Sequence, residues 1–254
     1  MIRGAVGHLD VAQIVLYAFW LFFSGLIWYL RGEDRREGYP LDSEQDGGLK
    51  DRGFLLIPTP KIFSLAGGGR LQAPNFALDT RPINSTKAEV WPGAPYEPIG
   101  DPMLAEVGPG SYALRPDETE KTSEGHDLIS PLRVATNYAV SPDGGNPLGF
   151  SVVGADNRSA GVINDVWVDR SEAVLRYYEV KLEKGGSVLA PVHFCDVNFG
   201  ARRVKVKALL AHQFANAPTL KSPDCVTMLE EEKISAFYGA GTLYATPERA
   251  EPLL

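Results

Sequence analysis

The most regular hydrophobic pattern lies near the N-terminal end: Ala12 to Leu30 reads AQIVLYAFWLFFSGLIWYL, and the charged stretch Arg31-Gly-Glu-Asp-Arg-Arg-Glu37 follows at once. At about 1.5 Å of rise per residue, a helix of this length covers roughly 28 Å, close to the hydrocarbon thickness of a bilayer. Only Gln13 and Ser24 are polar within it, and a helix satisfies its own backbone groups where no water can. The pattern predicts a single transmembrane helix over residues 12–30. A cleaved signal peptide would carry its basic residues ahead of a shorter apolar core. Here Arg31, Arg35 and Arg36 come after the run and Arg3 alone precedes it. The positive-inside rule then puts residues 1–11 in the periplasm and everything from residue 31 in the cytoplasm. Tyr17, Phe19, Trp20, Phe22, Phe23, Trp28 and Tyr29 make the run richer in aromatics than bare anchoring in lipid requires. Such a helix suits neighbours, and Ala18 and Gly25 share a face that offers them a shallow notch.

Beyond the helix the pattern changes twice. Residues 31–130 carry Pro and Gly throughout, which excludes long helices. They hold short strand-like pieces at 53–57 and 61–65, with a turn expected at 66–70. Because hydrophobic and aromatic residues recur, the stretch reads as an extended chain laid over a partner's surface. From residue 131 to 254 the signal is of short strands between tight turns: 150–155, 161–168, 174–182, 187–194 and 204–209. That spacing predicts a small antiparallel barrel or roll. Thr227-Met-Leu-Glu230 fits a capping box, Ile234, Phe237 and Tyr238 share a helical face, and Gly239 and Gly241 are expected to end the helix. The fold class is therefore α+β: one N-terminal transmembrane helix, then a mainly β cytoplasmic domain with a small barrel and a C-terminal helix.

Charge narrows the partners. Residues 1–40 hold four Lys/Arg against four Asp/Glu, so the net −7 belongs to residues 41–254, with 21 basic and 28 acidic groups. An acidic soluble part argues against nucleic acid. Cys195 and Cys225 stand without a CxxC or a Cys/His metal-ligand spacing, and a cytoplasmic domain keeps them reduced. His8, His193 and His212 show no metal-binding spacing and read as structural, and Gly67-Gly-Gly69 lacks the Lys-Ser/Thr of a phosphate loop. No nucleophile elbow or triad order is present, so an independent enzyme is not expected.

The densest ionisable group is Asp165, Asp169, Glu172, Arg176 and Glu179 around one predicted hairpin. Strand alternation places Arg176 on a face with Val174, Tyr178, Val180 and Leu182, where a guanidinium should seek a carboxylate. Asp169 or Glu172 is the expected partner. Two readings stand: a buried ion pair that holds the hairpin, or a functional group of carboxylates tuned by their surroundings.

A series of short motifs runs along the chain: Arg35-Arg-Glu-Gly-Tyr-Pro-Leu41, Gly100-Asp-Pro-Met103, Val107-Gly-Pro109 and Asn146-Pro147. It continues through Asp165-Val-Trp-Val-Asp169, Phe214-Ala-Asn-Ala-Pro-Thr219, Glu230-Glu-Glu-Lys233 and Tyr244-Ala-Thr-Pro-Glu-Arg-Ala250. In the order and spacing of these motifs the sequence resembles the H subunit of the purple bacterial photosynthetic reaction centre over essentially its whole length. The resemblance implies a PRC-type barrel that caps the cytoplasmic side of the L and M subunits in the bacterial inner (intracytoplasmic) membrane. It also implies that this chain binds no cofactor, while L and M carry bacteriochlorophyll, bacteriopheophytin, quinones and non-haem iron. Light-harvesting antenna polypeptides, a cytochrome subunit and membrane lipids are the further neighbours implied. A membrane-tethered adaptor or assembly factor sharing the barrel is the alternative.

The resemblance also implies roles. Glu172 matches the carboxylate nearest the secondary quinone, Asp169 the next outward, and Arg176 the basic residue that tunes them. The family's surface uptake point for protons uses one acidic residue and two histidines ahead of the proline aligned with Pro131. Here only His126 is in register, and the other two positions fall on Thr122 and Glu124; Glu124 and Asp127 are the substitute acceptors.

Overall fold

The computed structural model describes residues 11–39, 41–43, 48–51, 57–65, 68–77 and 79–250. The chain divides into two compact units, residues 1–81 with 90–94, and residues 82–89 with 95–254.

The first unit is built on helix α1 (Val11–Glu33), which starts one residue ahead of the expected span and ends three beyond it. It is long and apolar enough to cross a membrane once, and none of its residues is buried. The helix outlasts the apolar run because Arg31 and Glu33 are good helix formers whose charges need only water. A 3-10 turn, Asp34–Arg36, then redirects the chain as Arg35 leaves helical geometry (φ −96°, ψ 15°). Two antiparallel pairs follow, β1 (Leu41–Ser43) with β2 (Gly48–Asp51), and β3 (Lys61–Ser64) with β4 (Arg70–Ala73). The expected strand at 53–57 falls almost entirely outside the described residues. The turn at 66–70 falls partly outside, but its flanks meet where Leu65 N–H donates to Gly69 O at 3.2 Å.

In the second unit β5 (Ser85–Lys87) and β6 (Tyr96–Pro98) form a small hairpin. The main sheet comprises β7 (Ile129–Pro131), β8 (Ser151–Val153), β9 (Ser159–Asp169), β10 (Val174–Leu182), β11 (Ser187–Pro191), β12 (Cys195–Asn198) and β13 (Arg203–Val206). Their order is β11-β10-β9-β8-β13-β12, with β7 added along the far end of β9. The predicted strands are all present, some trimmed at the ends. β12 escaped the pattern because it is only four residues long and half exposed. Every pairing is antiparallel except that of β13 with β8, which is parallel. Alternation cannot distinguish the two, since both have a period of two residues.

The barrel interior holds Ile163, Val166, Trp167, Val180, Leu189 and Leu209, all essentially inaccessible to solvent. Helix α2 (Met228–Tyr244) closes it with Ile234, Phe237 and Tyr238. Its capping box forms as read: Glu230 N–H donates to Thr227 Oγ1 at 3.1 Å and Thr227 N–H to Glu230 Oε2 at 2.9 Å. The helix does not stop at Gly239 or Gly241, however. A Cβ at Gly239 would stand 2.5 Å from the Pro109 carbonyl, and one at Gly241 2.4 Å from that of Ala208. These glycines are notches for close packing, which outweighs their weak helix propensity.

Candidate functional site

The β9–β10 hairpin carries all five residues of the ionisable group, and the structure divides them into three settings. At the tip, the buried Asp169 accepts from Ser171 N–H at 2.9 Å and Glu172 N–H at 3.1 Å through the same oxygen. The turn is thus held by the carboxylate, which leaves the Glu172 side chain exposed.

Strand β7 brings a distant loop to this tip. Ile129 pairs with Asp169, and Arg170 N–H donates to Leu128 O at 2.9 Å. One residue before Leu128 is Asp127, whose Oδ1 accepts from Lys121 Nζ at 2.6 Å and closes the loop that presents Glu124 and His126. Burial pushes the Asp127 carboxyl up, but Lys121, Thr119 and the nearby Arg170 outweigh it and hold it below its ordinary value. The Ser123 hydroxyl and then the backbone amide of Glu124 itself lower the Glu124 carboxyl likewise. Asp169 and Glu172 thus sit at the hairpin tip, Asp127 at the base of the adjoining 121–127 loop, and Glu124 and His126 further out on that loop.

Arg176 lies elsewhere. The register passes from Leu175 opposite Val168 directly to Tyr177 opposite Trp167, so Arg176 is the extra residue of a β-bulge. The bulge breaks the alternation on which its expected partnership rested. Among the described residues no ion pair joins it to Asp169 or Glu172. It lines instead a cleft of about 480 Å³ with Arg115, Tyr177, His193, Glu231 and Glu232. There Tyr177 Oη donates to Glu231 Oε2 at 3.2 Å. Desolvation raises the Glu231 carboxyl above the usual range, and desolvation with the positive field of Arg176 lowers His193.

The third setting is buried. Asp165 and Glu179 face each other across the two strands, and Arg133 Nη1 donates to both, at 2.9 and 2.6 Å. Glu179 also accepts from Trp167 Nε1 at 3.1 Å and Asn164 Nδ2 at 2.9 Å, while Asp165 accepts from Val166 N–H at 2.8 Å. Arg133 reaches on to Asp224 at 3.0 Å and to the Pro223 carbonyl. Every oxygen of the pair is satisfied as a carboxylate, so this network is a brace.

Sequence reasoning missed Arg133, Glu231 and the cleft around Arg176. The Glu230–Glu232 run carried a partial signal: the capping box consumes Glu230, and a helix then turns Glu231 toward β10. Among the described residues no group of His, Cys, Asp and Glu could hold a metal ion, and both cysteines are free thiols. His8 lies outside the described residues.

One apolar helix of membrane length and a small β-barrel packed against one helix define the class: a mainly β domain behind an N-terminal helix consistent with single-pass membrane anchoring. Residues 4–134 match the family described as photosynthetic reaction centre, H-chain N-terminal region, and residues 143–213 match the PRC-barrel domain. The chain belongs to the H-chain family of photosynthetic reaction centres, a non-catalytic subunit of that complex.

Proposed function

We propose that this chain caps the L and M subunits on the cytoplasmic side, stabilises their quinone region and delivers protons toward the secondary quinone. The cofactors of the complex, namely bacteriochlorophyll, bacteriopheophytin, quinones and non-haem iron, belong to L and M. Antenna polypeptides, a cytochrome subunit and lipids surround the assembly in the bacterial inner membrane. The Arg cluster after α1 favours a periplasmic N-terminus and a cytoplasmic barrel. The exposed apolar residues Ile83, Ile99, Leu104 and Leu114 of the Pro/Gly-rich stretch suit a partner surface.

The observation that supports the proton reading is the pairing of β7 with β9, which brings the segment just after the Glu124–His126–Asp127 loop against Asp169. Surface carboxylates beside a histidine draw protons electrostatically, and groups within reach of one another through water can pass them inward. In this reading His126, Glu124 and Asp127 collect protons, Asp169 relays them, and Glu172 at the exposed tip is nearest the quinone pocket. Arg176 adjusts the charge of the flanking Glu231 cleft. Glu172→Gln should slow the second, proton-coupled electron transfer to the quinone and leave primary charge separation unchanged. Flash kinetics on the assembled complex test this, and an unaltered second-electron rate would remove Glu172 from the path. Isolation of the chain alone and unpigmented from native membranes in mild detergent would favour a tethered adaptor instead.

A further inference from the structure

We propose that the β3–β4 hairpin is an interfacial membrane contact, with Phe63 and Leu71 seated in the headgroup layer of the bilayer that α1 crosses. The inference rests on the membrane-spanning reading of α1.

The hairpin is pinned to the end of the helix. Arg36 forks onto Glu33 at 2.7 and 2.8 Å and also donates to the carbonyls of Thr59 and Ala73, both at 2.9 Å. Lys61, the first residue of β3, donates to Glu33 Oε1 at 2.9 Å and to Tyr29 Oη at 3.3 Å, with its ammonium 5.3 Å from the Tyr29 ring centre. One strand end is therefore tied to residues on two successive turns of α1. The hairpin cannot choose its depth independently of the helix.

That depth follows from the helix. Trp28 and Tyr29 close the apolar run and belong at the boundary between hydrocarbon and headgroups. Glu33 stands about 6 Å further out by helical rise, which is roughly the thickness of one headgroup layer. Phe63 and Leu71, opposite each other on the hairpin, line a cleft of about 350 Å³ beside Glu33, Asp34, Arg36 and Glu37. Both are half exposed, and Ile62 on the other face is 65% exposed. A two-stranded hairpin with apolar residues bare on both faces is unfavourable in water and suited to the interface, where aromatic and aliphatic groups are buried beneath polar headgroups.

The occupant is lipid, and its charge is secondary. Arg36 and Lys61 are already engaged by Glu33 and by backbone carbonyls, so they are not free to hold an anionic headgroup. The contact should therefore not depend on anionic lipid or on salt.

Nitroxide labels at Ile62→Cys and Leu71→Cys, in a Cys195→Ser/Cys225→Ser background of the full chain within its complex, test this in phosphatidylcholine vesicles. Relative accessibility to oxygen and to an aqueous nickel chelate gives depth, with Leu16→Cys as the reference for the helix. Both hairpin labels should show an oxygen preference several-fold above that of free label and below that at Leu16. Added salt or phosphatidylglycerol should leave it unchanged, and Glu33→Gln should shift it toward the aqueous value. Exclusion of both reagents would mean that a protein subunit covers the hairpin, and free access of the nickel chelate would place it in water; either overturns the proposal. A lipid signal at Leu16 with neither signal at the hairpin would reject the hairpin contact alone, whereas loss of the Leu16 signal would reject the membrane span.

Discussion

Glu231 and Asp127 show how one functional group, the carboxyl, is shifted in opposite directions by its surroundings. Desolvation raises Glu231, and the Tyr177 hydroxyl and Arg176 only partly oppose it. Between the ordinary carboxylate pKa and that raised value, the folded chain holds a proton that the unfolded chain has released. Stability contributed at this position thus falls as pH rises through the window. Glu231→Gln should flatten that part of the pH–stability profile, measured by denaturant midpoints across mildly acidic pH. Asp127, lowered by Lys121, works the other way and loses its contribution as pH falls. The candidate carboxylates were legible in the sequence because an Asp or Glu in a strand-and-turn pattern is conspicuous. Their settings were not, because burial depends on which distant element arrives: α2 for Glu231, β7 for Asp169, and Arg133 for the Asp165–Glu179 pair.

At the scale of elements, the β9–β10 hairpin is held by a clasp from outside it. Arg133 joins the segment after β7 to both hairpin strands and to the 223–224 turn. Arg133→Leu would leave two carboxylates facing each other in a nearly dry site. Removing one partner of a fully buried pair costs about 3–5 kcal/mol. With Arg133 itself 37% exposed, a loss of about 2 kcal/mol is expected after discounting for screening. Chemical denaturation measures it, and a variant that also carries Asp165→Asn and Glu179→Gln should recover part of the loss. The strands themselves were readable from alternation, and the α2 start from its capping box. The bulge at Arg176 and the continuation of α2 through Gly239 and Gly241 were not. A bulge adds a residue without changing composition, and a glycine required for close approach looks in sequence like one that ends a helix.

For the whole molecule, the sequence carried the plan more fully than the contacts. A 19-residue apolar run and a strand-rich end each reflect a gross requirement, respectively bilayer thickness and a core to fill, and the Pro/Gly-rich middle is the part proposed to lie on a partner. The middle stretch should depend on its partners. In the isolated chain, limited proteolysis is expected to cut between residues 99 and 114, where Ile99, Leu104 and Leu114 are more than half exposed, and to spare the sheet and α2. In the assembled complex the same site should be protected, and mass spectrometry of the fragments distinguishes the two cases.

The parallel pairing of β13 with β8 has a consequence for biosynthesis. β8 is made some fifty residues before its partner, at Arg203–Val206, so during translation its outer edge has nothing to bond to. The anchor and the first hairpins emerge early, but the barrel closes only once β13 has been made. A ribosome that stalls before residue 206, or a message cut short there, releases a tethered chain with a bare strand edge at the membrane surface. Such an edge templates pairing with other chains. Quality control of this subunit would thus depend most on whether translation passes β13.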